Sequence, residues 1–169
     1  MLENWFTPAS IPSVNTPDAD SRLGSKVQVL SGSASPDLQQ TKIAIVGLQA
    51  SEADAVRRHL YSMAAPWPPE TIIDLGNIRK SNPSFFIPAL AELAGSRIFP
   101  IVVGRDIAGL TAQFKALQAI LQHINLVAFD ERLDLSLPGT YLHDMLIGQR
   151  DQVFQCGLLG YQSHFVAPK

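Results

Sequence analysis

Apolar and polar positions divide the chain into two unlike parts. From residue 42 onward, apolar runs of strand length alternate with stretches of helical period. KIAIVGL (42–48) is continuously apolar up to Gly47, the pattern of a strand covered on both faces. In SEADAVRRHLYSM (51–63), Ala55, Val56, His59, Leu60 and Met63 recur at helical spacing, and Ser51 with Asp54 has the shape of a capping box. Pro66, Pro68 and Pro69 stop this helix. TIIDLGN (71–77) predicts a second strand, Phe85–Ala94 an apolar helix and RIFPIVVG (97–104) a third strand. IAGLTAQFKALQAILQHI (107–124) predicts a long helix whose stripe Leu110, Phe114, Leu117 and Leu121 reads as a core face. NLVAFD (125–130), TYLHDMLIG (140–148) and VFQCGLLGY (153–161) predict a fourth strand, a helix and a fifth strand. Such alternation means right-handed crossovers and an α/β fold with a mainly parallel sheet.

The first forty residues lack this rhythm. Pro8, Pro12, Pro17 and Pro36 stand among Ser, Thr and Asn residues, a loop-like composition. One strand-like piece, Lys26–Leu30, interrupts it, and Trp5 and Phe6 are suited to dock the arm on the body. The expected organisation is an arm over 1–40 and one α/β domain over 41–169.

Composition narrows the function. The chain has 169 residues, 46% apolar and 17% charged, and a net charge of -2. Its 13 Lys and Arg residues are scattered, so no basic face marks a nucleic-acid partner. The single cysteine, Cys156, allows no intrachain disulfide. No signal-peptide pattern opens the chain, and no run approaches the ~20 apolar residues of a membrane-spanning helix. The expectation is a cytoplasmic protein without a membrane partner.

In open parallel sheets, sites lie beyond the carboxyl ends of the strands. Four ends are readable: Gly47, Asp74–Asn77, Gly104–Asp106 and Asp130–Asp134. The last carries Asp130, Arg132 and Asp134 at i, i+2 and i+4, which in extended chain point to one side. Two converging carboxylates need a cation between them, usually a metal. Here the middle residue is itself a cation.

VVGRDIAGLTAQF followed by NLVAFDERLDLS resembles the ureohydrolase family of arginases, agmatinases and formimidoylglutamases. RLGSKVQVL, KIAIVGL, IIDLGNI and GLLGYQSHFV add to the likeness in order, over roughly 23–166, and it is closest to the formimidoylglutamase-like branch. The resemblance implies a three-layer α/β/α sandwich. It also implies a binuclear manganese centre whose activated water attacks a guanidinium or formimino carbon. The family carries G-G-D-H after one strand and D-A-H-x-D after the next. On those motifs Asp106, Asp130 and Asp134 fall on ligand aspartates, whereas Ile107 and Arg132 fall on ligand histidines. Ile107 has no lone pair to give, and the Arg132 guanidinium stays protonated. The family's later S-x-D-x-D motif does not occur in the 169 residues. The expectation is therefore an arginase-like sandwich, incomplete at its C-terminus, with a degraded metal site in which Arg132 replaces manganese between Asp130 and Asp134. No cofactor is expected, with manganese the candidate if the family site survives.

The other polar residues suggest less. His59 lies on the helical stripe and reads as packed. His123 would cap the long helix, and His143 is a candidate substrate contact in the family's terms but structural by default. His164 is uninformative. Cys156 sits in an apolar setting and reads as a small core residue, and Ser136 lacks a nucleophile elbow. Three readings of function follow. One is a catalytically inactive ureohydrolase-like protein that is structural or regulatory, or binds a small guanidino or amino-acid ligand. The second is part of a manganese-dependent hydrolase of linear amidines. The third is an unrelated α/β binding or scaffold module. A half-sheet would leave an open edge and apolar surface, so self-association or pairing with another chain is expected.

Overall fold

The structure is a computed structural model that describes residues 4–10, 21–30, 38–65, 71–80, 82–105, 107–121, 123–132, 135, 138–148 and 152–162, without the side chains of 107 and 108. Strands β3 (Ile43–Gly47), β4 (Ile72–Ile78), β5 (Phe99–Val103), β6 (Ile124–Phe129) and β7 (Val153–Leu159) form where the five apolar runs predict them. Helices α1 (Ala50–Ser62), α2 (Pro83–Gly95), α3 (Ile107–Gln118) and α4 (Tyr141–Leu146) separate them. The arm adds β1 (Phe6–Thr7), a 3-10 turn at Leu23–Ser25 and β2 (Gln28–Val29), the last within the strand-like piece. No helix among the described residues is long and apolar enough to cross a membrane.

Strands β4, β3 and β5 are hydrogen-bonded in that order, with both pairings parallel. The outer edge of β4 is shared by two short strands. Parallel β2 pairs with Ile73 and Asp74, and antiparallel β1 with Asn77 and Ile78. This double cover leaves every residue of β4 buried. Strands β6 and β7 form a separate parallel pair.

The alternation of side chains sorts the core. Ala44, Val46, Ile73 and Leu75 face α2 and α3, packing with Phe86, Leu90, Leu93, Ala112 and Ala116. Ile45 and Ile72 face the other way, toward Tyr61 of α1 and Leu23 and Val27 of the arm. Helices therefore lie on both faces of the sheet. Phe6 is fully buried in the first cluster, so burying it stabilises the docked arm by roughly 1.5–3 kcal/mol. Trp5 completes the docking, edge-on to Phe85 and donating to Glu92 at 3.2 Å.

Local chemistry sets several boundaries. Helix α2 starts on Asn82, whose side chain accepts from Phe85 N–H at 3.0 Å, with Pro83 in the first turn. It ends in a left-handed residue, Arg97 at φ 61, bracketed by Arg97 N–H to Ala94 O and Ile98 N–H to Leu93 O, the hydrogen-bond pair of a Schellman motif. In β4 the register with β3 slips between Ile45 and Gly47. Gly76 takes up the bulge at φ 80, where a side chain would run into the Thr7 carbonyl.

Four expectations about helices are corrected. Helix α1 begins at Ala50 behind Gln49, with no side-chain cap, so Ser51 and Asp54 form no capping box. Its buried face is Ala53, Arg57 and Tyr61, while Val56, His59 and Met63 are exposed. His59 is thus not a packed histidine. Helix α3 stops at Gln118, so His123 does not cap it and instead lies 6.1 Å from the Phe154 ring. Of the α3 stripe, Phe114 is buried but Leu110 and Leu121 are exposed.

Candidate functional site

The strand tip that carried the sequence prediction is held together by its first aspartate. Strand β6 continues past Phe129, since Asp130 N–H donates to Leu159 O at 3.1 Å. The Asp130 side chain then turns back on its own loop. Its Oδ1 accepts from Arg132 N–H at 3.0 Å, an Asx-type turn. Its Oδ2 accepts from the Tyr141 hydroxyl at the start of α4. These two donors, with the Arg132 charge as a smaller contribution, hold the carboxyl below the usual carboxylate range.

Arg132 has its Nε 3.7 Å from Glu131 Oε1, both side chains largely exposed. Asp106 and Asp134 lie outside the described residues, as do Ser136 and His164. Ile107 opens α3, with its side chain undescribed. His143 lies two positions beyond Tyr141, on a different face of α4. Its Nδ1 is 3.2 Å from Asp144 Oδ1. Asp144 also accepts from Gly139 N–H, and both contacts, the imidazole's first, lower its pKa. Cys156 is half-buried in β7, and burial pushes its thiol pKa up, away from nucleophilic use.

A second polar centre was not read from the sequence. Arg57 is fully buried under β4, where its guanidinium takes Asp74 in a two-pronged grip, Nε to Oδ2 at 2.7 Å and Nη2 to Oδ1 at 2.9 Å. Nη2 also donates to Gly76 O at 2.7 Å, and Nη1 to Asn77 Oδ1 at 2.6 Å and Asp54 Oδ1 at 3.0 Å. Tyr61 completes the set by donating to Asp74 Oδ2 at 2.7 Å. Burial, then the Asp74 charge, raises the tyrosine pKa far above its ordinary value. Every arm of the guanidinium is used, so the centre binds α1 to β4 and offers no free valence to a ligand. The one sequence signal was the run Ala53, Arg57, Tyr61 at i, i+4, i+8, beside an aspartate inside an apolar strand.

At the carboxyl ends of β3 and β5, where sites gather in such folds, lies a cleft of about 200 Å³ lined by Leu48, Val102, Gly104, Leu110 and Gln113. Among these described residues the polar side chain is the Gln113 amide. Among the described residues no three His, Cys, Asp or Glu side chains come together as a metal site.

A mostly parallel sheet with helices on both faces is an arginase-like α/β fold. A T. brucei arginase-like protein, solved as a quadruple mutant, superposes with a TM-score of 0.59 at 16% identity over 98% of this chain. The likeness is one of fold, and this chain spans 56% of that chain's length. In the mutant, three serines are exchanged for aspartate and one arginine for histidine. Three of those positions, natively serine, arginine and serine, are spaced two apart and become aspartate, histidine and aspartate. No family model matches the present chain, and no curated protein matches it either.

Proposed function

We propose that this chain is a non-catalytic arginase-like protein whose strand-tip site is satisfied by its own donors instead of by manganese. The observation that carries the reading is the engagement of Asp130, both of whose oxygens already accept protein hydrogen bonds, from Tyr141 and from Arg132 N–H. A divalent ion would have to compete with these donors for the negative charge of the carboxylate. Arg132 adds a guanidinium at the position that the ureohydrolase pattern gives to a histidine ligand. A protonated guanidinium donates no lone pair and repels a divalent cation.

The T. brucei neighbour supports the arginase-like fold on which this reading rests. The sequence likeness lies nearest the formimidoylglutamase branch, so formimino and guanidino compounds are the substrates whose turnover we take to be lost.

The test is gain of metal. The double substitution Ile107→His and Arg132→His is expected to raise manganese affinity at least tenfold by isothermal titration calorimetry. Unchanged affinity would contradict the reading. So would release of urea, formamide or ammonia from arginine, agmatine or formiminoglutamate by the unaltered chain.

A further inference from the structure

The carboxyl end of β4 is held from two sides. Between the pairs Ile45–Asp74 and Gly47–Asn77, β3 supplies Val46 alone and β4 supplies Leu75 and Gly76, so a bulge interrupts the ladder to β3. On the outer edge, β1 pairs Thr7 with Asn77 and Phe6 with Ile78. The Thr7 hydroxyl donates to Asn77 O at 3.2 Å. Arg79 returns two donors to the arm, N–H to Trp5 O at 3.0 Å and Nε to Phe6 O at 2.9 Å. From within, the same two bulge residues serve Arg57, Gly76 through its carbonyl and Asn77 through Oδ1. Gly76 N–H also donates to Asp74 Oδ1 at 2.7 Å, and Asn77 Nδ2 to Asp54 Oδ1 at 3.3 Å.

We propose that the N-terminal arm is a strap, and that its docking and the assembly of the buried Arg57 centre form one cooperative unit that opens without unfolding the sheet. Gly76 keeps φ 80 with the Thr7 carbonyl in the space a side chain would take. Releasing β1 removes the partner that fixes the bulge from outside. A relaxed bulge withdraws the Gly76 and Asn77 acceptors from a guanidinium that is fully buried, and buried donors left unmade are costly. The centre therefore resists release of the arm. In return, a centre without Asn77 loosens the strand end on which Phe6 and Thr7 are paired. Such coupling is reciprocal. The opening stays local, because β3 keeps its ladder to β5 and to Ile72–Asp74. Release bares the 76–78 edge of β4 and frees the Asp54 carboxylate, whose Oδ1 both Arg57 and Asn77 hold. Both lie toward the carboxyl end of the sheet, where parallel sheets place their sites, so the strap controls access to that end.

The proposal stands apart from the metal reading, since it uses none of the residues at the β6 tip. Native-state hydrogen exchange of the whole chain in low urea tests it. Arg79 N–H reports on the arm, Gly76 N–H and Arg57 Nε–H on the centre, and the amides of 43–46 on the sheet. In the unaltered chain the arm and centre probes are expected to merge into one opening, less protected than the sheet. Phe6→Ala alters the arm alone, and is expected to speed arm and centre probes by the same factor, about tenfold or more, and the sheet amides by less than about twofold. Asn77→Ala alters the centre, and is expected to speed Arg79 N–H by about tenfold or more. An arm that accelerates alone, a centre that opens only with the whole sheet, or an Asn77→Ala chain whose arm keeps its protection would each overturn the proposal. The exchange of the unaltered chain decides it even where a variant does not fold.

Discussion

The Tyr141 hydroxyl donates to Asp130 Oδ2, tying the first residue of α4 to the tip of β6 across eleven positions of sequence. This bond is the largest cause of the lowered Asp130 pKa. A carboxyl held below its unfolded value adds stability above about pH 4, and that stability is lost as pH falls through the folded pKa. Tyr141→Phe is expected to return the Asp130 titration toward the ordinary carboxylate range in carboxyl carbon NMR. It should cost about 1 kcal/mol or less near neutrality, since water reaches the pair, and progressively less as pH falls through the folded pKa. A titration unchanged in the variant would remove Tyr141 from the account.

Arg57 and Asp74 form the opposite kind of pair, with both side chains fully withdrawn from solvent. Arg57→Met leaves a buried carboxylate with Tyr61 and Gly76 N–H as its remaining partners among those described. The expected loss is about 3–5 kcal/mol in urea unfolding. Adding Asp74→Leu to Arg57→Met is expected to recover part of that loss, because the orphaned charge goes with it. A double variant less stable than the single one would show that the centre contributes more than charge balance.

Gly76 is where the arm meets the sheet. Gly76→Ala puts a side chain at positive φ against the Thr7 backbone. The expected cost is about 1–3 kcal/mol, with hydrogen exchange accelerated first at 6–7, where β1 pairs with β4. Uniform acceleration across β3 and β4 would mean that β1 is not the part released.

Tyr61 provides an alkaline check. Its raised pKa leaves the hydroxyl protonated in the fold, so its contribution is present below pH ~10, the ordinary tyrosine value, and is lost as pH rises through the folded value. Ultraviolet titration is expected to show Tyr61 ionising only with alkaline unfolding, and the Tyr61→Phe variant to lack that late component. Early ionisation of Tyr61 in folded protein would contradict its placement against Asp74.

The strands were legible because each is a continuous apolar run, and five such runs became β3 to β7, although only β3 and β4 are buried on both faces. Helix faces were less so. The stripe through Val56 and Met63 looked like the core side of α1, but Asp74 inside β4 draws Arg57 and Tyr61 inward and turns that stripe to solvent. The apolar period of 107–124 ran past the end of α3, because Leu121 has helical spacing without helical structure. Strand β1 was missed, as two residues carry no period and Phe6 is ordered by tertiary burial. At the strand tip, spacing found Asp130 and Arg132 but could not show Tyr141, whose contact depends on how the loop after β6 returns to α4.

The metal content of the unaltered chain bears most directly on the central claim. After incubation with manganese and desalting, plasma mass spectrometry is expected to find far less than one ion per chain, with Asp130 still titrating at its lowered value in the presence of the metal. One or two firmly retained manganese ions per chain, with Asp130 displaced from Tyr141, would contradict it.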